Sequence, residues 1–217
     1  MIATMQMLID MQTVLPGLRA SAPEALAFAP ALDIRAFLLA RDEGNVVIYS
    51  TRGLELDSGS VARQYLNHRH EAMFAAASVD APLFCHEHER DSVATRTRVR
   101  ATFSRRHVLG DDLEVIPTPG HTSGATAVLW DNGEHRFLFT GDTIYLDQGE
   151  WVAAVLEGSS DRAAYIATLE LIRELNFDVL VPWAASHGGP FHAVTSRASA
   201  QRRIDAIADR LRRGENR

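Results

Sequence analysis

The sequence predicts an α/β fold with mixed sheets, and three observations predict it: short apolar runs pair as hairpins, single amphipathic helices alternate with them, and polar clusters fall at strand ends. Arg35 to Ala40 and Asn45 to Ser50 are apolar runs joined by Asp42, Glu43 and Gly44, which predicts a β-hairpin. After Tyr65 and Leu66 comes a histidine-rich turn and then Glu71 to Ser78, alanine-rich and helix-prone. Pro82 punctuates the chain before a strand at Leu83 to Cys85. Leu113 to Thr118 predicts a strand that Pro119-Gly120 breaks. Ala125 to Trp130 and Arg136 to Thr140 flank Asp131-Asn132-Gly133-Glu134, a second hairpin. From Ser160 as N-cap, Ala163, Ile166, Leu169, Ile172 and Leu175 recur at helical spacing, and Asp178 to Val181 follows as a strand. Ala200, Ile204, Ile207, Ala208 and Leu211 mark a last amphipathic helix, with Arg210, Arg212 and Arg213 at its dipole's negative end.

The 217 residues suit one domain, expected over 15–217 after a loose leader at 1–14. A chain of this length buries enough surface to hold a core without crosslinks. None can form within it: Cys85 is the single cysteine, a usage that fits a reducing cytoplasm. No apolar run approaches the roughly 20 residues of a membrane helix. The N-terminus has no positive leading segment and carries Asp10 in its apolar stretch, unlike a signal peptide. All 22 basic residues are arginine, and the net charge of -6 argues against general nucleic-acid affinity. A small-molecule substrate is the expected partner.

Four strand ends carry chemistry. His68-Arg69-His70 places two imidazoles at alternate positions, where they share a face, and neutral imidazole is the commonest zinc ligand. Leu113 to Thr118 runs into PGHTSG, presenting His121; Arg136 to Thr140 runs into Gly141-Asp142; Asp178 to Val181 leads to Ser186-His187-Gly188-Gly189. Asp142 adds the anionic oxygen that balances a divalent charge. Cys85-His86-Glu87-His88-Glu89 is a further cluster, read as a buried cysteine with exposed His88 and Glu89 unless it serves as a metal site of its own, a Cys-His pair or a substitute set of residues behind the ligands. Arg96, Arg98 and Arg100 alternate, as on one basic strand face for anions or in a solvated loop.

The order His-x-His, IPTPGHTSG, FLFTGDTIY, then strand-His-Gly resembles the metallo-β-lactamase fold superfamily over about residues 30 to 190. The resemblance implies an αβ/βα four-layer sandwich, two mixed β-sheets face to face with helices outside, and metal at one edge between the sheets. It implies His68, His70, His121, Asp142 and His187 as ligands. The family's first motif, HxHxDH, is degenerate: HRHEAM puts Ala72 at the second-metal aspartate and Met73 at its histidine, and a strict alignment puts Ala184, not His187, at the last ligand position. One divalent transition metal is therefore expected, zinc or iron. Three histidines with an open position suit zinc, which activates water for attack on a small ester, thioester or lactone. His68, His121 and Asp142 alone would form the facial triad of a mononuclear non-haem iron oxygenase. A non-catalytic metal- or ligand-binding member is the third reading. For a hydrolase, Asp142 and Glu71 are the candidate catalytic residues, Glu71 as a replacement base for the missing aspartate.

Overall fold

Alternation along the strands decides the layering. In Phe37–Leu39, Phe37 and Leu39 face one way and Leu38 the other; in Thr126–Asp131 and Arg136–Gly141, Val128, Trp130, Phe137 and Phe139 face opposite to Leu129 and Leu138. Strands apolar on both faces must be covered on both, which forces a layered sandwich. The computed structural model describes residues 11–54, 56, 61–75 and 80–216.

The first sheet has seven strands in the order Gln12–Leu15, Leu18–Ala20, Phe37–Leu39, Asn45–Ile48, Val61–Tyr65, Leu83–His86 and Val99–Phe103. Its first half is antiparallel and its second half, from Asn45–Ile48 onward, parallel. The second sheet has six strands, ordered His107–Leu109, Leu113–Pro117, Thr126–Asp131, Arg136–Gly141, Val179–Pro182 and Ala193–Val194. Phe37, Ile48 and Tyr65 of the first sheet share one core with Val115, Trp130, Phe139 and Val181 of the second. The far side of the second sheet is covered by α2 (Arg162–Glu174) and α3 (Arg197–Arg212), which bury Tyr165, Leu169, Ile172, Ile204, Ile207 and Leu211 against Leu129, Leu138 and Leu180. Over the far side of the first sheet, the short α1 (Arg90–Ala94) and a 3-10 turn at Arg69–Phe74 bury Val93 and Ala72 with Leu66, Leu83 and Cys85. The chain is thus an αβ/βα sandwich. A third, five-stranded sheet adds Glu150–Val152, Tyr145–Asp147, Ala184–Ser186, Ala29–Ile34 and Glu24–Leu26 beside it.

Both predicted hairpins are present, pairing Phe37 with Ile48 and Asp131 with Arg136. Three readings need correction. The domain boundary at residue 15 falls too late: residues 1–10 lie outside the described residues, but Gln12–Leu15 is a strand and Met11 is buried. The helix-prone Glu71 to Ser78 forms a 3-10 turn ending at Phe74, and 76–79 lie outside the described residues. Asp161, not Ser160, caps α2 by accepting from Ala164 N, and Ser160 instead donates to the His121 carbonyl. Among the described residues, no helix is long and apolar enough to cross a membrane.

Candidate metal centre

Val61–Tyr65 delivers the chain to the edge where both sheets end, and the next residues turn sharply. His68 has extended backbone and precedes the 3-10 turn that carries His70. Glu71 closes this turn from inside, its fully buried carboxylate accepting from Asn67 N at 3.2 and 3.1 Å. Asn67 ties the turn to the second sheet, donating Nδ2 to Phe139 O and accepting from Thr126 N.

His121 arrives from Leu113–Pro117 through Pro119-Gly120. Gly120 has φ +145° and lies so close to α2 that a Cβ would stand 2.5 Å from Tyr165 Cα; only glycine fits both constraints. Four residues after Gly120, Gly124 N donates to Glu89 Oε1 at 2.8 Å, and Arg69 N donates to Glu89 Oε2 at 2.9 Å. One buried carboxylate therefore holds the His68-His70 turn and the His121 loop in register. Asp142 follows Arg136–Gly141, fixed by Tyr49 Oη, which accepts from Gly141 N and donates to Val181 O. Tyr165 Oη lies 2.7 Å from Thr143 O and accepts from Ala154 N, joining the Asp142 turn to the segment opposite.

These scaffolds bring one ligand atom from each of His68, His70, His121 and Asp142 within 4.8 Å of one another. Asp142 Oδ2 is 3.3 Å from His68 Nε2 and 3.6 Å from His121 Nε2, and His70 Nδ1 is 3.1 Å from His121 Nε2. The second ring nitrogens are engaged behind the site: His68 Nδ1 meets Glu71 Oε1 at 2.8 Å, and His121 Nδ1 meets Ala154 O at 2.6 Å. Both are acceptors, so each Nδ1 carries a proton and each Nε2 faces inward; His121 presents a free lone pair there, and His68 does so once the second proton favoured by Asp142 and Glu71 is displaced. Trp183 packs edge-on against the His68 ring at 5.4 Å and fixes its plane.

Charge within the cluster is uneven. Burial opposes a proton on His68, but Asp142 on one side and Glu71 on the other outweigh it and raise its pKa to about 10. Burial, then the neighbouring His68 and His121, lowers His70 to about 3. His121 is lowered by burial and then by His68, so two neutral imidazoles are ready to ligate. Burial would raise the Asp142 carboxyl, yet His68 holds it below its ordinary value, ionised.

The sequence-derived set divides accordingly. His68, His70, His121 and Asp142 converge from three strand ends. His187 does not: after Val179–Pro182 the chain enters another strand, Ala184–Ser186, which carries His187 out to solvent, where its Nδ1 pairs with Asp33 at 3.0 Å. Ala184 lines the cavity beside His70, His121 and Asp142 in its place. Glu71 is no replacement base, because its carboxylate sits behind His68 and away from the cavity. Cys85 is buried among Leu66, Ala72, Leu83 and Val93, and burial raises its thiol pKa to about 12, which leaves it inert. Glu89 is buried, not exposed; Arg98 precedes and Arg100 lies within the edge strand Val99–Phe103, both exposed to solvent and neither lining the cavity at His121. Glu89 belongs to the Cys85 to Glu89 cluster that the sequence offers for a role behind the ligands, whereas Ala154, Tyr49 and Tyr165 carry no site signal in the sequence beyond the tyrosines' place in apolar runs.

The family model of the metallo-β-lactamase superfamily matches residues 60–184, more than half of the chain. The chain belongs to the metallo-β-lactamase superfamily. Among solved structures, a metallo-β-lactamase from Pontibacter korlensis is similar at a TM-score of 0.66 and 16% identity, covering 94% of this chain and 98% of that one. An archaeal metallo-β-lactamase superfamily protein from Sulfolobus tokodaii is similar at a TM-score of 0.59 and 15% identity, covering 88% and 85%. These likenesses speak for the shared metallo-β-lactamase fold. No curated protein matches the chain.

Proposed function

We propose that this chain is a mononuclear metal-dependent hydrolase of a small ester, thioester or lactone, with zinc as its ion. The observation that carries the reading is the convergence of three imidazole nitrogens and one carboxylate oxygen within 4.8 Å. Two buried atoms there, His68 Nε2 and Asp142 Oδ1, have no hydrogen-bond partner in the protein, which a cation would remedy. Three neutral or neutralisable nitrogens with one hard oxygen suit zinc. Such an ion supplies Lewis acidity, lowering the pKa of water to about 7 and polarising a carbonyl.

The chain's residues supply the rest. Glu71 and the Ala154 carbonyl engage Nδ1 of His68 and His121 and turn each Nε2 toward the cluster. Among the described residues, Asp142 is the only carboxylate lining the cavity, and it orients the attacking water and takes its proton. The position of His70 Nδ1, 3.1 Å from His121 Nε2, supports a three-histidine site over a facial triad that would leave His70 out. Ala72 and Met73 favour one alternative, a member that holds metal without turnover.

The test is turnover of p-nitrophenyl acetate, an acyl thioester and γ-butyrolactone by zinc-loaded, iron-loaded and metal-free protein. Zinc-dependent hydrolysis is expected, and Asp142→Asn reloaded to full zinc occupancy should lose it. Oxygen consumption by the iron-loaded form alone would establish the oxygenase; metal retention with neither activity would establish the non-catalytic member.

A further inference from the structure

The cavity in front of the metal ligands encloses about 440 Å³, a size typical of small-molecule sites. Its walls are mostly apolar. The hairpin formed by Glu24–Leu26 and Ala29–Ile34 supplies Leu26 and Leu32, the segment beyond Trp151 supplies Val155 and Leu156, and Met73 and Ala184 occupy the side where the second-metal ligands are missing. Three large apolar side chains stand exposed at this cavity: Phe28 at 67%, Met73 at 40% and Leu156 at 39%. Large apolar groups left in water around a concave site mark a surface that a ligand covers. Phe28 sits at the tip of the hairpin, where it overhangs the opening.

The polar side of the ledger is short. Apart from His70, His121 and Asp142, only Tyr145 and Asn216 bring polar side chains to the lining, and no arginine lines the cavity among the described residues. A carboxylate or phosphate on the substrate's far end would meet apolar walls with no counter-charge, and desolvating it there is costly. An uncharged hydrocarbon segment meets walls of its own kind.

We infer that the substrate of this site carries an uncharged apolar chain, which lies along Met73, Leu32 and Leu156 under the side chain of Phe28 while its carbonyl faces Asp142. Calling that ligand a substrate rests on the hydrolase reading; the chain-binding cavity itself stands on its lining.

Two arms of one experiment separate the two claims. In the binding arm, primary alcohols from butanol to decanol are titrated calorimetrically into zinc-loaded wild type, Phe28→Ala and, as a control remote from the cavity, Val108→Ala. Each added methylene is expected to tighten binding by about fourfold until the cavity is filled. Phe28→Ala should weaken decanol by about tenfold while leaving butanol nearly unchanged, and Val108→Ala should match wild type. In the turnover arm, kcat/KM for p-nitrophenyl esters should climb from acetate to octanoate, with a shallower slope in Phe28→Ala. Esters hydrolysed with no dependence on chain length, and alcohols binding with none, overturn the inference and leave the hydrolase standing. Length-dependent alcohol binding without hydrolysis of any ester supports the apolar cavity and overturns the hydrolase. Because Phe28 is an exposed turn residue, the variant keeps its fold, and a flat result cannot be assigned to unfolding.

Discussion

Replacing Glu71 by Gln tests the positioning role that its geometry assigns. The carboxylate is fully buried, its Oε1 lies 2.8 Å from His68 Nδ1, and it also accepts from Asn67 N. Glutamine keeps the size but offers one oxygen to two donors, and its amide hydrogens confront whichever donor is left over. A buried donor without a partner costs about 1–3 kcal/mol, so the metal-free protein should lose stability in that range. Removing the outer partner of a metal-bound histidine lowers affinity by roughly 10- to 100-fold. A second effect works the other way: Glu71 helps Asp142 keep a proton on His68, and without it that proton is easier to displace. The net loss of zinc affinity at pH 7 is therefore expected near the lower bound, about tenfold, or roughly 1.4 kcal/mol. Competition against a chromophoric chelator reads the affinity, and urea unfolding in the presence of chelator reads the stability. Zinc affinity within about threefold of wild type together with an unchanged urea midpoint would refute the assignment.

Other outcomes follow from the same structure. Because His68 holds its proton up to a pKa of about 10, zinc binding at pH 7 should release about one proton per chain, and affinity should rise as pH rises from 6 to 8.5; calorimetry in buffers of different ionisation enthalpy measures it. Gly120→Ala would drive a Cβ to 2.5 Å from the Tyr165 backbone, and a loss of about 3 kcal/mol or more in urea unfolding is expected. Asp112 accepts from Arg41 and from Trp130 Nε1, and the Arg41 hydrogen bond, against burial, holds its carboxyl below the ordinary value. A carboxyl depressed on folding stabilises above its unfolded pKa of about 3.9 and loses that contribution as pH falls through the folded value. Asp112→Asn should thus lower stability by about 1–2 kcal/mol at pH 7, a figure reduced for the third of Asp112 that faces solvent, with the gap closing below about pH 4.

The parts of the fold that could be read in the sequence are those where local chemistry and tertiary packing agree. The Asp131-Asn132-Gly133-Glu134 turn and the spacing of Ala200, Ile204, Ile207 and Leu211 specify a hairpin and a helix face without reference to the rest of the chain. Where they disagree, the reading slips. The buried face of α2 centres on Tyr165 and Leu169 and leaves Ala163 exposed, because Tyr165 must reach the carbonyls after Asp142. The strands Leu18–Ala20, Glu24–Leu26 and Tyr145–Asp147 are too short to show a period. In the site, His68, His70, His121 and Asp142 announce themselves by following strands into turns, whereas their supports come from afar. Glu89 is 35 residues from Gly124, and Ala154 is 33 from His121. Glu71 was visible but its direction was not, since the 3-10 turn, and not the helix expected there, points it behind His68. The glycine-flanked turn of His187 imitates a ligand loop, while Ala184 is the residue that lines the cavity with His70, His121 and Asp142.

Metal content measured by mass spectrometry tests the central claim most directly. Wild type, His121→Ala and His187→Ala are purified without added metal and dialysed against a weak chelator. One transition-metal ion per chain is predicted for wild type and for His187→Ala, whose imidazole faces Asp33 in solvent, with strong loss in His121→Ala. Two ions per chain in wild type, or equal loss in the two variants, would contradict a single site built from His68, His70, His121 and Asp142.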